Sequence, residues 1–219
     1  GILAYRPYLR HTYIGDASPC NDGEVYCGGP AIDGVPAGRT FREVEGLFTT
    51  LAKAGYHPGV VAPDVNPEDL GRYPAVFATT QTFMDPADQK WLLDYVGQGG
   101  CLILGPAVPR KDLDLEAASV LPDALTAERA ATFARGSRLA TPHGEVAVEG
   151  EFYRIGGEPV VTAATGEVLV SRLAHGRGVI FQLAGYFTQE DNPDLLGDNA
   201  ALYRFLLETA GVRPGVQRD

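Results

Sequence analysis

Apolar residues in this chain first recur at the helical period. Phe41, Val44, Leu47, Phe48 and Leu51 form one stripe, which predicts a helix. Thr40 and Glu43 have the spacing of a capping box at its start, and Gly55 stands where a left-handed C-terminal stop belongs. Short apolar runs lie on either side. Ile2 to Tyr8 reads as a first strand, Gly59-Val60-Val61-Ala62 as a second ended by Pro63, and Ala75 to Thr80 as a third. Asp85-Pro86 supplies an N-cap and a first-turn proline for another helix. Its apolar face is Ala87, Trp91, Leu92, Tyr95 and Val96, and Gly99-Gly100 ends it. Cys101 to Gly105 is then a further strand. This alternation predicts right-handed βαβ units and a parallel sheet.

From Leu113 the pattern loosens. Leu113 to Leu121 and Ala124 to Phe133 read as two helices. From about Arg138 to Phe187 the chain is strand-like, with Val146-Ala147-Val148, Val160-Val161, Val168-Leu169-Val170 and Val179 to Leu183 as strands. His175-Gly176-Arg177-Gly178 reads as a tight hairpin turn. A last helix carries Leu202, Phe205 and Leu206 on one face and stops at Gly211. The expected fold class is α/β with a mostly parallel sheet. One domain is expected over 1–219, with a long loop over 15–39 and a β-rich insertion over about 138–173.

Composition narrows the function. Of 219 residues, 45% are hydrophobic and 21% charged, as in an ordinary folded domain. No apolar run reaches the roughly 18–20 residues that span a bilayer. The formal net charge is -10, the wrong sign for phosphate contacts, so neither nucleic acid nor an anionic membrane is an expected partner. Gly1 leads directly into Ile2 to Tyr5 without a basic start, so no secretory leader is read there, and the chain reads as a piece of something longer. Three cysteines do not make a disulfide scaffold, and a cytoplasmic location is expected. Whether Cys20 and Cys27 are bridged is open. No Cys-x-x-Cys or paired histidine motif points to zinc.

In an open parallel sheet, sites lie beyond the carboxyl ends of the strands. After Leu104 comes Gly105-Pro106-Ala107-Val108-Pro109, which has the glycine of a nucleophile elbow but no nucleophile. Pro106 and Pro109 also lack the N–H an oxyanion hole would use. Cys101 begins its strand and so belongs at the wrong end, as a core thiol. After Thr80, Gln81-Thr82-Phe83-Met84-Asp85 places polar groups at the right end. Asp112, Asp114 and Glu116 read as a solvated acidic face. Trp91 and Tyr95 read as core rather than a sugar platform.

Three stretches carry a family resemblance: Arg72 to Ala78, Met84 to Val96, and Gly99 to Pro106. They resemble the trimerisation domain of family 42 β-galactosidases, which has the class I glutamine-amidotransferase-like, flavodoxin-like fold. Leu51 to Tyr56, Arg110-Lys111-Asp112 and His175 to Gly178 fit the same pattern. The resemblance implies a three-layer α/β sandwich with a β-rich C-terminal extension. It also implies a non-catalytic accessory and oligomerisation domain, packed in a trimer beside a TIM-barrel catalytic domain of the same parent protein. Where active amidotransferases carry Cys and His-x-Glu, this chain has Pro106-Ala107 and Tyr186 to Glu190. No catalytic residue, metal ligand or cofactor is therefore expected. Arg110, Lys111, Asp112 and Gln81 are the candidate binding residues. A stand-alone amidotransferase-like enzyme with a reactive thiol, or a carbohydrate-binding module, is the alternative.

Overall fold

Alternate residues of the central strands face two different cores, which is what a parallel sheet covered on both sides requires. The computed structural model describes residues 1–5, 7, 39–188, 195 and 199–215. The strands are β1 (Ile2–Leu3), β2 (Val60–Val61), β3 (Ala75–Thr80), β4 (Cys101–Pro106), β5 (Ala127–Thr141), β6 (Gly144–Ile155), β7 (Glu158–Thr162), β8 (Val168–His175) and β9 (Gly178–Leu183). One sheet has seven strands in the order β2-β1-β3-β4-β9-β8-β7. The neighbours from β2 through β9 are parallel, and β8 and β7 continue antiparallel. The helices that lie wholly within the described residues are α1 (Arg39–Lys53), α2 (Pro86–Gly97) and α3 (Ala200–Thr209).

Ala75, Phe77, Cys101 and Ile103 pack with Leu47 and Leu51 of α1 and Leu202 and Leu206 of α3. Val76, Ala78, Leu102 and Leu104 pack on the other face with Leu92, Leu93 and Val96 of α2. Asp85 caps α2 by accepting from the Ala87 N–H at 2.8 Å. All three helices end in the same paired motif at a glycine with positive φ. In α1, Gly55 N donates to Ala52 O and Tyr56 N to Leu51 O. Gly99 and Gly211 end α2 and α3 in the same way.

Several expectations are corrected. The first strand is only Ile2–Leu3. The helix expected from Thr40 begins at Arg39; one oxygen of the Glu43 carboxylate accepts from Phe187 and Thr188, and the capping box expected with Thr40 falls on a side chain outside those described. Leu113 to Leu121 is not a helix. The Asp112 carboxylate accepts the N–H groups of Asp114 and Glu116, and Leu115 has φ 65, which a right-handed helix excludes. Ala124 to Phe133 is not a helix either, because Ala127 onward pairs along β6 as a separate two-stranded ribbon. Strand structure thus starts at Ala127 rather than about 138. The hairpin at His175–Gly178 joins β8 to β9 as expected. The loop over 15–38, with Cys20 and Cys27, lies outside the described residues. No helix among the described residues is long and apolar enough to cross a membrane.

Candidate functional site

The carboxyl ends of β3, β4 and β9 meet at one corner, the place where an α/β sheet would hold a ligand. Among the described residues this corner is tightly packed. Gly105 has φ 142, and a Cβ on it would stand 2.7 Å from Leu183 O, so only glycine fits this approach. The chain continues through a cis Gly105-Pro106 peptide into buried Ala107 and Val108. Thr80 Oγ1 donates to Ala107 O. The space among Glu43, Thr79, Gly105, Pro106, Leu183 and Tyr203 is about 10 Å³, enough for one water at most.

The other wall is built on Glu43, which is 3% exposed. One carboxylate oxygen accepts from the Phe187 N–H at 3.0 Å and the Thr188 N–H at 2.8 Å. Thr188 Oγ1 donates back to Glu43 O at 3.1 Å. Asn199 fixes the same segment: its Nδ2 donates to Ala147 O and to Phe187 O, each at 2.8 Å, and its Oδ1 accepts from Ala147 N at 2.9 Å. The ribbon joins here too, since Tyr153 N donates to Ala184 O at 2.7 Å and Phe152 bridges Gly185. The Tyr203 phenol is fully buried, and burial, reinforced by Glu43, pushes its ionisation well above the ordinary tyrosine range. The Phe187 and Thr188 N–H groups are thus already engaged by a structural carboxylate.

Cys101 lies at the opposite end of β4 and is buried; desolvation pushes its thiol up to about 12. An activated nucleophile needs the reverse shift. Trp91 is half-buried, and its Nε1 donates to Pro67 O at 3.2 Å, so its ring edge is tied to the protein. A second polar group surrounds Tyr5. Asp85 N donates to the Tyr5 oxygen at 2.9 Å. Burial raises the Asp88 carboxyl above its ordinary value; the hydrogen bond from Tyr5 opposes this, and Asp85 and Asp64 add to it.

The four candidate binding residues converge on one region. Gln81 is 1% exposed. Just beyond it, Thr82 O accepts from the N–H groups of both Arg110 and Lys111. The Arg110 guanidinium ties down its own loop, donating to Ser119 Oγ at 2.7 Å, Leu121 O at 2.9 Å, Pro122 O at 3.0 Å and also Leu125 O. Lys111 bridges Phe83 and Ala117 through its backbone. Asp112 Oδ1 organises the following turn, at 2.9 Å from Asp114 N and 3.0 Å from Glu116 N. Sequence reasoning missed Glu43, Asn199 and Tyr203 as the residues that close the corner. Their partners lie far away in sequence, and no local spacing signals them. It also missed the exposed Leu113 and Leu115, whose alternation with acids in Asp112 to Glu116 was a visible signal.

No curated protein matches the chain. Solved structures do, at the level of fold. One is a catalytic mutant of a GH42 β-galactosidase from G. stearothermophilus: 13% identity, TM-score 0.59, covering 80% of this chain and 26% of that one. Another is a β-galactosidase from Bacillus circulans sp. alkalophilus: 18% identity, TM-score 0.64, covering 88% and 30%. A third is an exo-β-1,4-mannosidase from Opitutaceae bacterium strain TAV5: 20% identity, TM-score 0.55, covering 98% and 36%. The chain therefore spans only about a third or less of the length of these proteins. The resemblance carried by residues 72–106 holds, because these residues lie inside a family-model match over 32–159, more than half of the chain. By that match the chain belongs to the family described as GLMA-like, second domain.

Proposed function

We propose that the chain is a non-catalytic accessory and oligomerisation domain of a β-galactosidase-type glycoside hydrolase. One observation carries this reading: among the described residues the space at the β3–β4–β9 corner holds about 10 Å³, and Glu43 takes up the Phe187 and Thr188 N–H groups beside it. Pro106 and Ala107 stand where a nucleophile would follow β4. The solved relatives named as β-galactosidases and a mannosidase are about three times longer or more, which supports a catalytic partner domain, read here as a TIM barrel on the same polypeptide. The order of the parallel strands, β2-β1-β3-β4-β9, matches the flavodoxin-like order 2-1-3-4-5, with β8, β7 and the ribbon as a β-rich extension. We read residues 1–219 as one such domain, cytoplasmic and trimeric.

In this reading Arg110, Lys111, Asp112 and Gln81 serve binding by shaping a loop that meets a protein surface. The test is co-elution. The chain and a separately produced catalytic region of its parent protein should run together as one species of fixed stoichiometry. Separate elution at micromolar concentrations overturns the reading.

A further inference from the structure

Leu115 is the one non-glycine residue with positive φ among the described residues. A left-handed conformation is unfavourable for a bulky L-residue. Leu115 is nevertheless 41% exposed, and Leu113 beside it is 47% exposed. Each costs free energy in the isolated chain, and the loop is built to hold both in place. Asp112 Oδ1 fixes the turn from inside, Leu115 N donates to Asp112 O, and Asp112 N donates to Glu116 O. Arg110 and Gln89 lock the flanks, Gln89 by accepting from Val120 N at 2.9 Å and donating to Met84 O at 2.8 Å. A rigid, strained turn that presents two leucines to solvent is the geometry of a docking tip.

At the opposite end of the sheet there is an open cavity of about 250 Å³. It lies between the start of β3 and the C-terminal ends of α1 and α3. Leu51, Tyr56, Tyr73, Phe77, Leu207 and Val212 give it apolar walls, and His57 and Arg213 also line it. An apolar cavity of about 150 Å³ accepts benzene, with six carbons; a leucine side chain has four. On that scale the cavity has room for both leucine side chains. Charge agrees with size. The tip carries Asp112, Asp114 and Glu116, with Lys111 and Arg110 at its base. The cavity has Arg213, with Lys53 exposed in the last turn of α1 and Arg204 bonded to Ala54 O, against Glu208 near Tyr56.

We infer that the Leu113–Leu115 tip of one copy of this chain inserts into the Tyr56–Tyr73 cavity of a second copy. This rests on the oligomerisation reading above and names the surfaces that carry it. The two patches lie at opposite ends of the same sheet, so the contact is head-to-tail. A heterologous contact of this kind closes into a ring when the rotation between neighbours permits, and cannot by itself form a two-fold dimer.

Sedimentation velocity on the 219-residue chain tests this. Leu113→Ser with Leu115→Asn removes the apolar tip, and asparagine accepts the left-handed conformation. Arg213→Glu reverses the charge at the exposed cavity wall. Both variants should keep the wild-type circular dichroism, Arg213→Glu the wild-type melting profile and the tip variant one no lower, and each should weaken self-association at least ten-fold. Mixed in equal amounts they should form a heterodimer that grows no further, since only one intact tip and one intact cavity remain. A wild-type chain that stays monomeric at every attainable concentration overturns the inference. So do variants that associate like wild type, or a mixture that stays monomeric. The last two outcomes leave oligomerisation standing by another surface, and co-elution with a catalytic region is read separately, so the two readings fail distinguishably.

Discussion

Replacing Glu43 by alanine tests whether the closed corner is structural. The side chain is 3% exposed and accepts two backbone N–H groups, from Phe187 at 3.0 Å and Thr188 at 2.8 Å. A hydrogen bond to a charged acceptor contributes about 1.5–3 kcal/mol, and a buried donor left unpaired costs about 1–3 kcal/mol. These describe the same loss from two sides and are not added. With two donors, the expected destabilisation is about 3–5 kcal/mol, in the range found when a buried charged partner is removed. For a chain of this size, about 1 kcal/mol moves the melting temperature by roughly 2–4 °C, so a drop of about 6–20 °C is expected. Glu43→Gln keeps an acceptor oxygen and should lose roughly a third to a half as much. The assay is thermal unfolding by circular dichroism, with hydrogen exchange at 185–188. A melting temperature within about 2 °C of wild type for Glu43→Ala would refute the argument, because solvent would then already reach those donors.

Three other outcomes follow from the same structure. Native Cys101 should resist iodoacetamide at about pH 8 and react only on unfolding, because burial pushes its thiol up to about 12; peptide mapping separates it from Cys20 and Cys27. Asp88→Asn should raise the melting temperature at neutral pH. Burial raises the native Asp88 carboxyl, so its folded state favours the protonated form; that stability is fully present below the unfolded value and is lost as pH rises through the native one. The gain from Asp88→Asn should therefore shrink toward zero in melts at about pH 3, below the ordinary aspartate value near 3.9. Arg110→Ala should cost about 1–3 kcal/mol and speed hydrogen exchange over 118–126, since the guanidinium holds the carbonyls of Leu121, Pro122 and Leu125.

The parts of the fold visible in the sequence were those whose signals are local. The Asp85-Pro86 start and the glycine stops of α1, α2 and α3 depend on residues within a turn of each other, and all stand where the residues put them. Strands β3 and β4 are buried on both faces and read as short continuous apolar runs. The ribbon was misread because Ala127 to Phe133 has helix-forming composition and its strand state comes from pairing with β6. Leu113 to Leu121 was misread because an Asx-type turn at Asp112 captured the backbone donors a helix needs. At the site, the sequence shows Pro106 and Ala107 directly after Gly105 of β4. The packing of the described part of that corner was not legible, because Glu43 bonds to residues 144 and 145 positions away.

Glycosidase turnover tests the central claim most directly. Chromogenic β-galactosides and β-mannosides are offered to the chain alone, to a catalytic region of its parent protein alone, and to the two together. The account predicts no turnover above the buffer blank by the chain, and a rate from the mixture that exceeds the catalytic region alone. Saturable turnover by the chain alone, abolished by a substitution at the β3–β4–β9 corner, would contradict it.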